Sequence, residues 1–378
     1  MSMLGFFPWT TVAAPVSVGP FRLVPHRVGG SLEAEPRLVD AILAPYQEPG
    51  GGPVESATLV RVAGRAHTGD LDEDEQARIY QLADAVAFAV LSRRGFFEVG
   101  PYWNRDQLAF VLRRFTGNDP RALQMVARRR DGRRWLAHGV GTFRTTRPAH
   151  APRPPTLELD APLAAALLAA FAAPGGTSIR ASVAAFLAAN GDGDGISTGE
   201  ELHLMVLAFE QLLGPPGEGE LPQRLLALLD PFVSRARAPR RLSTLQRLEA
   251  SVEPGTPPSS SIVEAWARDL LRSRSGVSPG GGRSASYWPR EAHLLVGAHL
   301  FPAAVLARLA SAGLRPIAEA DRKPLLACAY LASLRNPFAR RRSLAARNPH
   351  LWSRALEVAG RHLARIQLAE VLERSRRS

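Results

Sequence analysis

The sequence predicts an α+β protein, with a β-rich N-terminal domain over residues 1–155 and an all-α helical bundle over residues 156–378. Three observations predict it. Strand-like runs bounded by glycine and proline dominate the first part of the chain. The stretch RPAHAPRPP, with four prolines in nine residues, then reads as a stiff linker. Beyond it alanine, leucine and arginine recur at helical spacing with little strand signal.

In the first domain, PFRLVPHRV and SATLVRVAGR carry the β-branched and apolar enrichment of strands. EPRLVDAILAPY between them predicts a short helix. LDEDEQARIYQLADAVAFAVLSRRG predicts a long one: its acidic first turn suits a helix N-terminus, Arg93, Arg94 and Gly95 close it, and Ile79, Leu82, Ala83, Val86 and Val90 share a face. LQMVARRRDGRRWLAHGVGTF reads as two strands joined at Asp131-Gly132, a strong local hairpin signal. After TLELD, a last extended piece, helices are expected at 160–172, 177–189, 199–213, 221–233, 243–251, 261–273, 289–312, 321–334 and 350–374.

With 378 residues, 46% of them hydrophobic, the chain can fill two cores. Its formal charge is +12, and all but one of its 47 basic residues are arginine, the exception being Lys323. A GC-rich genome produces the same bias, yet an arginine-rich surface attracts phosphate whatever its origin. Cys328 is the only cysteine, which excludes an internal disulfide and a cysteine-built zinc site. The N-terminus lacks a basic n-region and is broken by Pro8, and the apolar run DAPLAAALLAAFAAPGG is too short to span a bilayer. These features predict a soluble, cytoplasmic protein with no membrane association.

Familiar catalytic signatures are missing: there is no P-loop, no Gly-x-Ser-x-Gly elbow, no His-Glu-x-x-His and no dinucleotide fingerprint after a strand. No cofactor is expected. NGDGDGISTGEE resembles a calcium loop at Asn190, Asp192, Asp194, Gly195 and Glu201, but Ile196 arrives one place early and no second loop pairs with it. An Asp/Gly-rich turn explains the same letters, with Ser197 or Thr198 capping the next helix through Glu200 or Glu201. No metal is therefore expected.

Two arginine clusters remain as nucleic-acid-binding candidates. Arg128, Arg129, Arg130, Arg133 and Arg134 flank the hairpin turn, beside Trp135. Such a ribbon suits a phosphate backbone, and equally a solvated edge that discourages aggregation. From Arg308 to the end the chain holds 15 basic and 5 acidic residues, including Arg340, Arg341 and Arg342.

Local motifs in the helical half carry a family likeness. These are ASVAAFLAANGDGDGISTGEELHLMVLAFEQLLG, IVEAWARDLLRSRSGVSPGG and YWPREAHLLVGAHLFPAAVLARLASAGL. Together they resemble the HEPN superfamily, in particular bacterial proteins with an Apea-like HEPN domain. DAVAFAVLSRRGFFEVGPYWNRDQLAFV and RPAHAPRPPTLELDAPL resemble regions found ahead of such domains. The resemblance implies a helical bundle that often dimerises, with RNA binding or metal-independent RNA cleavage as its activity, and roles in antiviral defence or toxin–antitoxin systems.

In the family's Arg-x4-His motif, arginine neutralises the scissile phosphate and histidine exchanges protons. Arg274 matches the arginine, while Pro279 stands where the histidine belongs. His293, beyond the Gly-rich loop, is a candidate replacement and equally an ordinary helix histidine. Glu210 matches an acidic position on the neighbouring family helix, with an ion pair to Arg274 or Arg272 as its expected role. Three functions follow as expectations. The first is an RNA-binding or protein-interaction module with a degraded motif, its protein partner unspecified. The second is a metal-independent endoribonuclease using Arg274 with His293 or another non-motif histidine, with Glu210 as a further catalytic candidate. The third is an assembly protein whose charge is genomic bias.

Overall fold

Short strands rich in apolar residues pair into an antiparallel sheet, and a run of helices follows. The computed structural model describes residues 2–30, 36–63, 71–94, 103–115, 123–128, 134–140, 144–148, 156–193, 195–214, 220–233, 246, 249–250, 255, 257–275, 290–319, 321, 372 and 375–376. The expected helices at 321–334 and 350–374, and most of 243–251, lie outside these residues. The chain forms two units: Met1–Ala173 with Asn190–Asp194, and Pro174–Ala189 with Gly195–Ser378.

The first unit is built on a sheet of β1 (Ser2–Phe7), β2 (Val16–Val18), β3 (Phe21–Arg27), β5 (Ser56–Val62) and β6 (Val111–Phe115), ordered β2-β3-β5-β1-β6. Every neighbouring pair is antiparallel. Pro25, which lacks an N–H, is tolerated inside β3 because β2 pairs only with Phe21–Leu23 and leaves that side of Pro25 open. Leu4 and Phe6 of β1 and Ala57 and Leu59 of β5 share one core with Val39, Ile42 and Leu43 of α1 (Pro36–Leu43). Phe7 turns the other way onto Phe110, which meets Tyr80 of α2 (Glu73–Leu91) edge-on.

An Asp72/Glu75 capping box starts α2, satisfying two otherwise orphaned N–H groups. At its far end Arg93 donates through Nε and Nη2 to Asp160, at 3.0 and 2.5 Å. Asp160 also caps α3 (Ala161–Ala172), so one carboxylate joins the end of α2 to the start of α3. Two smaller pairings complete the unit. β4 (Tyr46–Gln47) runs parallel to β9 (Thr145–Thr146), and β7 (Leu123–Arg128) forms a hairpin with β8 (Arg134–Val140).

Tyr46 lies in the core against Phe6 and Trp9. Burial pushes its phenol up to about 12, and the Arg113 guanidinium offsets part of the rise. Arg113 is itself buried and donates to the Ile42 carbonyl at 2.7 Å, so a charge that looks misplaced in a strand anchors α1 to β6.

The second unit holds α4 (Gly176–Ala188), α5 (Thr198–Leu213), α6 (Glu220–Val233), α7 (Ile262–Ser275) and α8 (Arg290–Ser311). α5 packs on α4 and α8, and α6 packs on α7 and α8. Phe186 stacks on Phe301 at 4.7 Å, Phe301 meets Phe209 edge-on at 5.2 Å, and Phe209 meets Trp266 at 5.6 Å. This aromatic chain links α4, α8, α5 and α7. α8 crosses α5 closely at Gly297, where a β-carbon would lie 2.8 Å from both Cγ and Sδ of Met205. Ser197 caps α5 in a capping box with Glu200, whose carboxyl is held below its usual value by the Ser197 backbone N–H and then its hydroxyl. Among the described residues, one helical stretch, His293–Ser311, is long and apolar enough to cross a membrane, and 67% of it is buried inside the protein.

Gly297→Val should cost about 2 kcal/mol of stability, the scale of overpacking a filled core, measured by denaturant unfolding. An unchanged midpoint would show that Met205 moves aside freely. A group whose pKa is raised on folding stabilises the fold below its unfolded value and loses that contribution as pH rises. For Tyr46 the loss falls between about pH 10 and 12. Tyr46→Phe should flatten the alkaline fall in thermal stability across that interval.

Candidate functional site

The sequence candidates in the second unit sit on three helices: Glu210 on α5, Arg274 at the end of α7 and His293 near the start of α8. α7 begins on a serine-rich stretch. Ser261 Oγ accepts from the Glu264 N–H at 3.1 Å, while Ser260 donates its N–H and hydroxyl to Glu264 at 2.8 and 2.7 Å. Just before it, Ser259 donates its N–H and hydroxyl to the buried Glu249, at 3.0 and 2.5 Å. These bonds fix the start of α7 and hence which residues turn inward.

Val263, Trp266, Ala267 and Leu270 form the buried stripe, at spacings of three and four. Asp269 falls on the same side, three residues after Trp266, and is fully buried. One carboxylate oxygen accepts from Arg272 Nη1 at 3.2 Å, and the other lies 3.1 Å from His293 Nε2. His293 is also fully buried, with the Trp266 ring at 6.3 Å. The Asp269–His293 hydrogen bond therefore lies wholly inside the core. Asp269 thus ties α7 to α8 and spends the Arg272 charge within the bundle.

Arg274 lies two residues past Arg272 and outside this network. Its Nη1 donates to Glu210 Oε1, in a pair whose side chains are 38% and 17% exposed. Arg272 and Arg274 both stand in the last turn of α7, where the carbonyl end of the helix dipole favours cations. The arrangement separates the candidates: Glu210 meets Arg274, while His293 is bonded to Asp269. A general base must reach the proton it removes, and His293 at 0% exposure sits inside the packed core. Pro279 lies outside the described residues.

The first arginine cluster is described only in part. Arg128 ends β7 and pairs in register with Arg134 at the start of β8. Arg129, Arg130 and Arg133 lie outside the described residues, as do Arg340, Arg341 and Arg342.

Asn190 and Asp192 of the Asp/Gly stretch are hydrogen-bonded within the first unit, while Asp194 lies outside the described residues. Arg94 Nη2 donates to Asn190 Oδ1, Asn104 Nδ2 to Asp192 Oδ2 at 2.9 Å, and the Asp192 N–H to Asp106 at 3.0 Å. The Arg105 N–H donates to the Asn190 carbonyl at 2.9 Å. A guanidinium therefore stands against the first oxygen of the calcium-like pattern. Among the described residues no group of three or more His, Cys, Asp or Glu is placed to hold a metal ion.

Sequence reasoning missed Asp269 and Trp266. The available signal was a charge inside a buried helical stripe, which requires a partner. The partner, His293, comes 24 residues later in the sequence.

Fold and site define a class: an α+β protein in which an antiparallel sheet unit precedes a helical unit with a buried Arg–Asp–His network. Compared with known proteins, the chain matches no family model, no curated protein and no solved structure.

Burial separates the two ion pairs energetically. Asp269→Ala removes a fully buried carboxylate from the His293 imidazole and the Arg272 guanidinium and should cost about 3–5 kcal/mol. Glu210→Ala removes half of a partly exposed pair and should cost about 1 kcal/mol or less. Denaturant unfolding of both variants checks the contrast, and equal losses would contradict it.

Proposed function

We propose that the chain is a HEPN-like RNA-binding protein that retains the arginine of its Arg-x4-His motif and has lost the proton-transfer partner. The observation that carries this reading is the parting of Arg274 from His293. The arginine stands at the protein surface at the end of α7, and the imidazole is committed to Asp269 in the core. Guanidinium alone recognises phosphate through charge-assisted, two-pronged hydrogen bonds. Cleavage by the RNA's own 2′-hydroxyl additionally needs a group that takes up and returns a proton near neutrality.

Charge supports the RNA half of the reading. The net +12 is carried by arginine, and its largest excess lies from Arg308 onward. A polyanion attracts such a chain through counterion release, which makes affinity fall steeply with salt. Arg340, Arg341 and Arg342 are the residues to which this reading assigns the strongest share, with the Arg128–Arg134 ribbon as a second contact.

The purified chain should bind an RNA hairpin with a linear fall of log K against log salt. Arg340→Glu with Arg341→Glu should weaken binding and lower that slope by about two, one for each phosphate no longer neutralised. In EDTA the RNA should stay intact. Undetectable or salt-insensitive binding would overturn the reading. Cleavage abolished by His293→Ala would replace it with the ribonuclease reading.

A further inference from the structure

We infer that Glu210 is a built-in competitor for phosphate: its carboxylate occupies the Arg274 guanidinium, and RNA must displace it to engage that arginine. The inference rests on the RNA-binding reading and concerns what holds Arg274 before RNA arrives.

The two arginines in the last turn of α7 are paired in different ways. Arg272 is 11% exposed and bonded to a fully buried carboxylate, Asp269, which in turn holds His293. Replacing that carboxylate would mean opening the bundle. Arg274 is 38% exposed, and its partner Glu210 reaches it from α5. A partly exposed pair of this kind is weak in water, so an incoming anion exchanges with it at little cost. A carboxylate and a phosphate offer a guanidinium the same thing, two oxygens at the spacing of its paired N–H groups. Glu210 therefore fills the position that a phosphate would take.

The pairing also sets the charge at this end of α7. With Asp269 against Arg272 and Glu210 against Arg274, both cations of the turn are neutralised, and the carbonyl end of the helix adds partial negative charge. When a phosphate displaces Glu210, one anion replaces another on the guanidinium. The step is an exchange of ion pairs with no bond made or broken, and Glu210 is released ionised to solvent. Affinity for RNA is thus held below what Arg274 alone would give.

Fluorescence polarisation of a labelled RNA hairpin at fixed salt tests this with the full chain. Glu210→Gln should tighten binding about two- to fivefold, the scale of losing one partly exposed ion pair. Arg274→Gln should weaken it, and adding Glu210→Gln to Arg274→Gln should then change nothing. Glu210→Ala serves as a second variant, and thermal melts confirm that each protein is folded. Weakening by Glu210→Gln would make Glu210 a positioning residue and overturn the inference. So would a tightening that persists without Arg274, which is only a general charge effect. If the wild type binds, Arg274→Gln weakens it and Glu210→Gln has no effect, the competitor role fails while RNA binding stands. If no variant binds RNA, both fall.

Discussion

A single buried carboxylate organises the helical unit. Asp269 has no exposed surface, so its charge must be met inside the protein, and two groups bonded to it come from different places. Arg272 is three residues along the same helix, and His293 belongs to the next described helix. Because an unmatched buried charge is costly, α7 and α8 are held at the one rotation and register that satisfy both bonds. The aromatic chain from Phe186 ends at Trp266, whose ring lies 6.3 Å from His293, and Gly297 lets α5 approach α8 closely. Which arginine faces outward follows from the same constraint: Arg272 is spent inward, and Arg274 is left at the surface for Glu210.

Residues that suggest chemistry therefore divide by where they are buried. His293 has the reactivity of a general base and the position of a core residue. The Asp/Gly loop has the letters of a cation site, but its oxygens accept from Arg94 and Asn104, and its Asp192 N–H is taken by Asp106. In both places a polar group that sequence spacing would assign to a ligand serves another part of the chain. Arg274 and Glu210 differ because their pair is partly exposed and open to exchange with solvent ions.

Much of the fold was legible where local rules are strong. The acidic first turn and apolar face of residues 73–91 announced α2, and the five described helices α4 to α8 lie within one or two residues of their expected bounds. β1 was missed because SMLGFF is buried on both faces and shows no alternation. β6 was missed because Arg113 and Arg114 mask its pattern, although Arg113 points inward to the Ile42 carbonyl. At the candidate site, the pairing of Glu210 with Arg274 was among the arrangements that the sequence suggests. The capture of His293 by Asp269 was not, because it depends on a contact between residues 24 apart in the sequence that no local periodicity encodes.

The central claim is that Asp269 and His293 form one structural unit, which a double-mutant cycle measures directly. Asp269→Asn, His293→Phe and the double variant are compared with the parent chain by denaturant unfolding. The account predicts a coupling energy of about 1 kcal/mol or more, the range found for residues in direct contact. Additive effects, with coupling near zero, would contradict it and return His293 to the pool of residues free for chemistry.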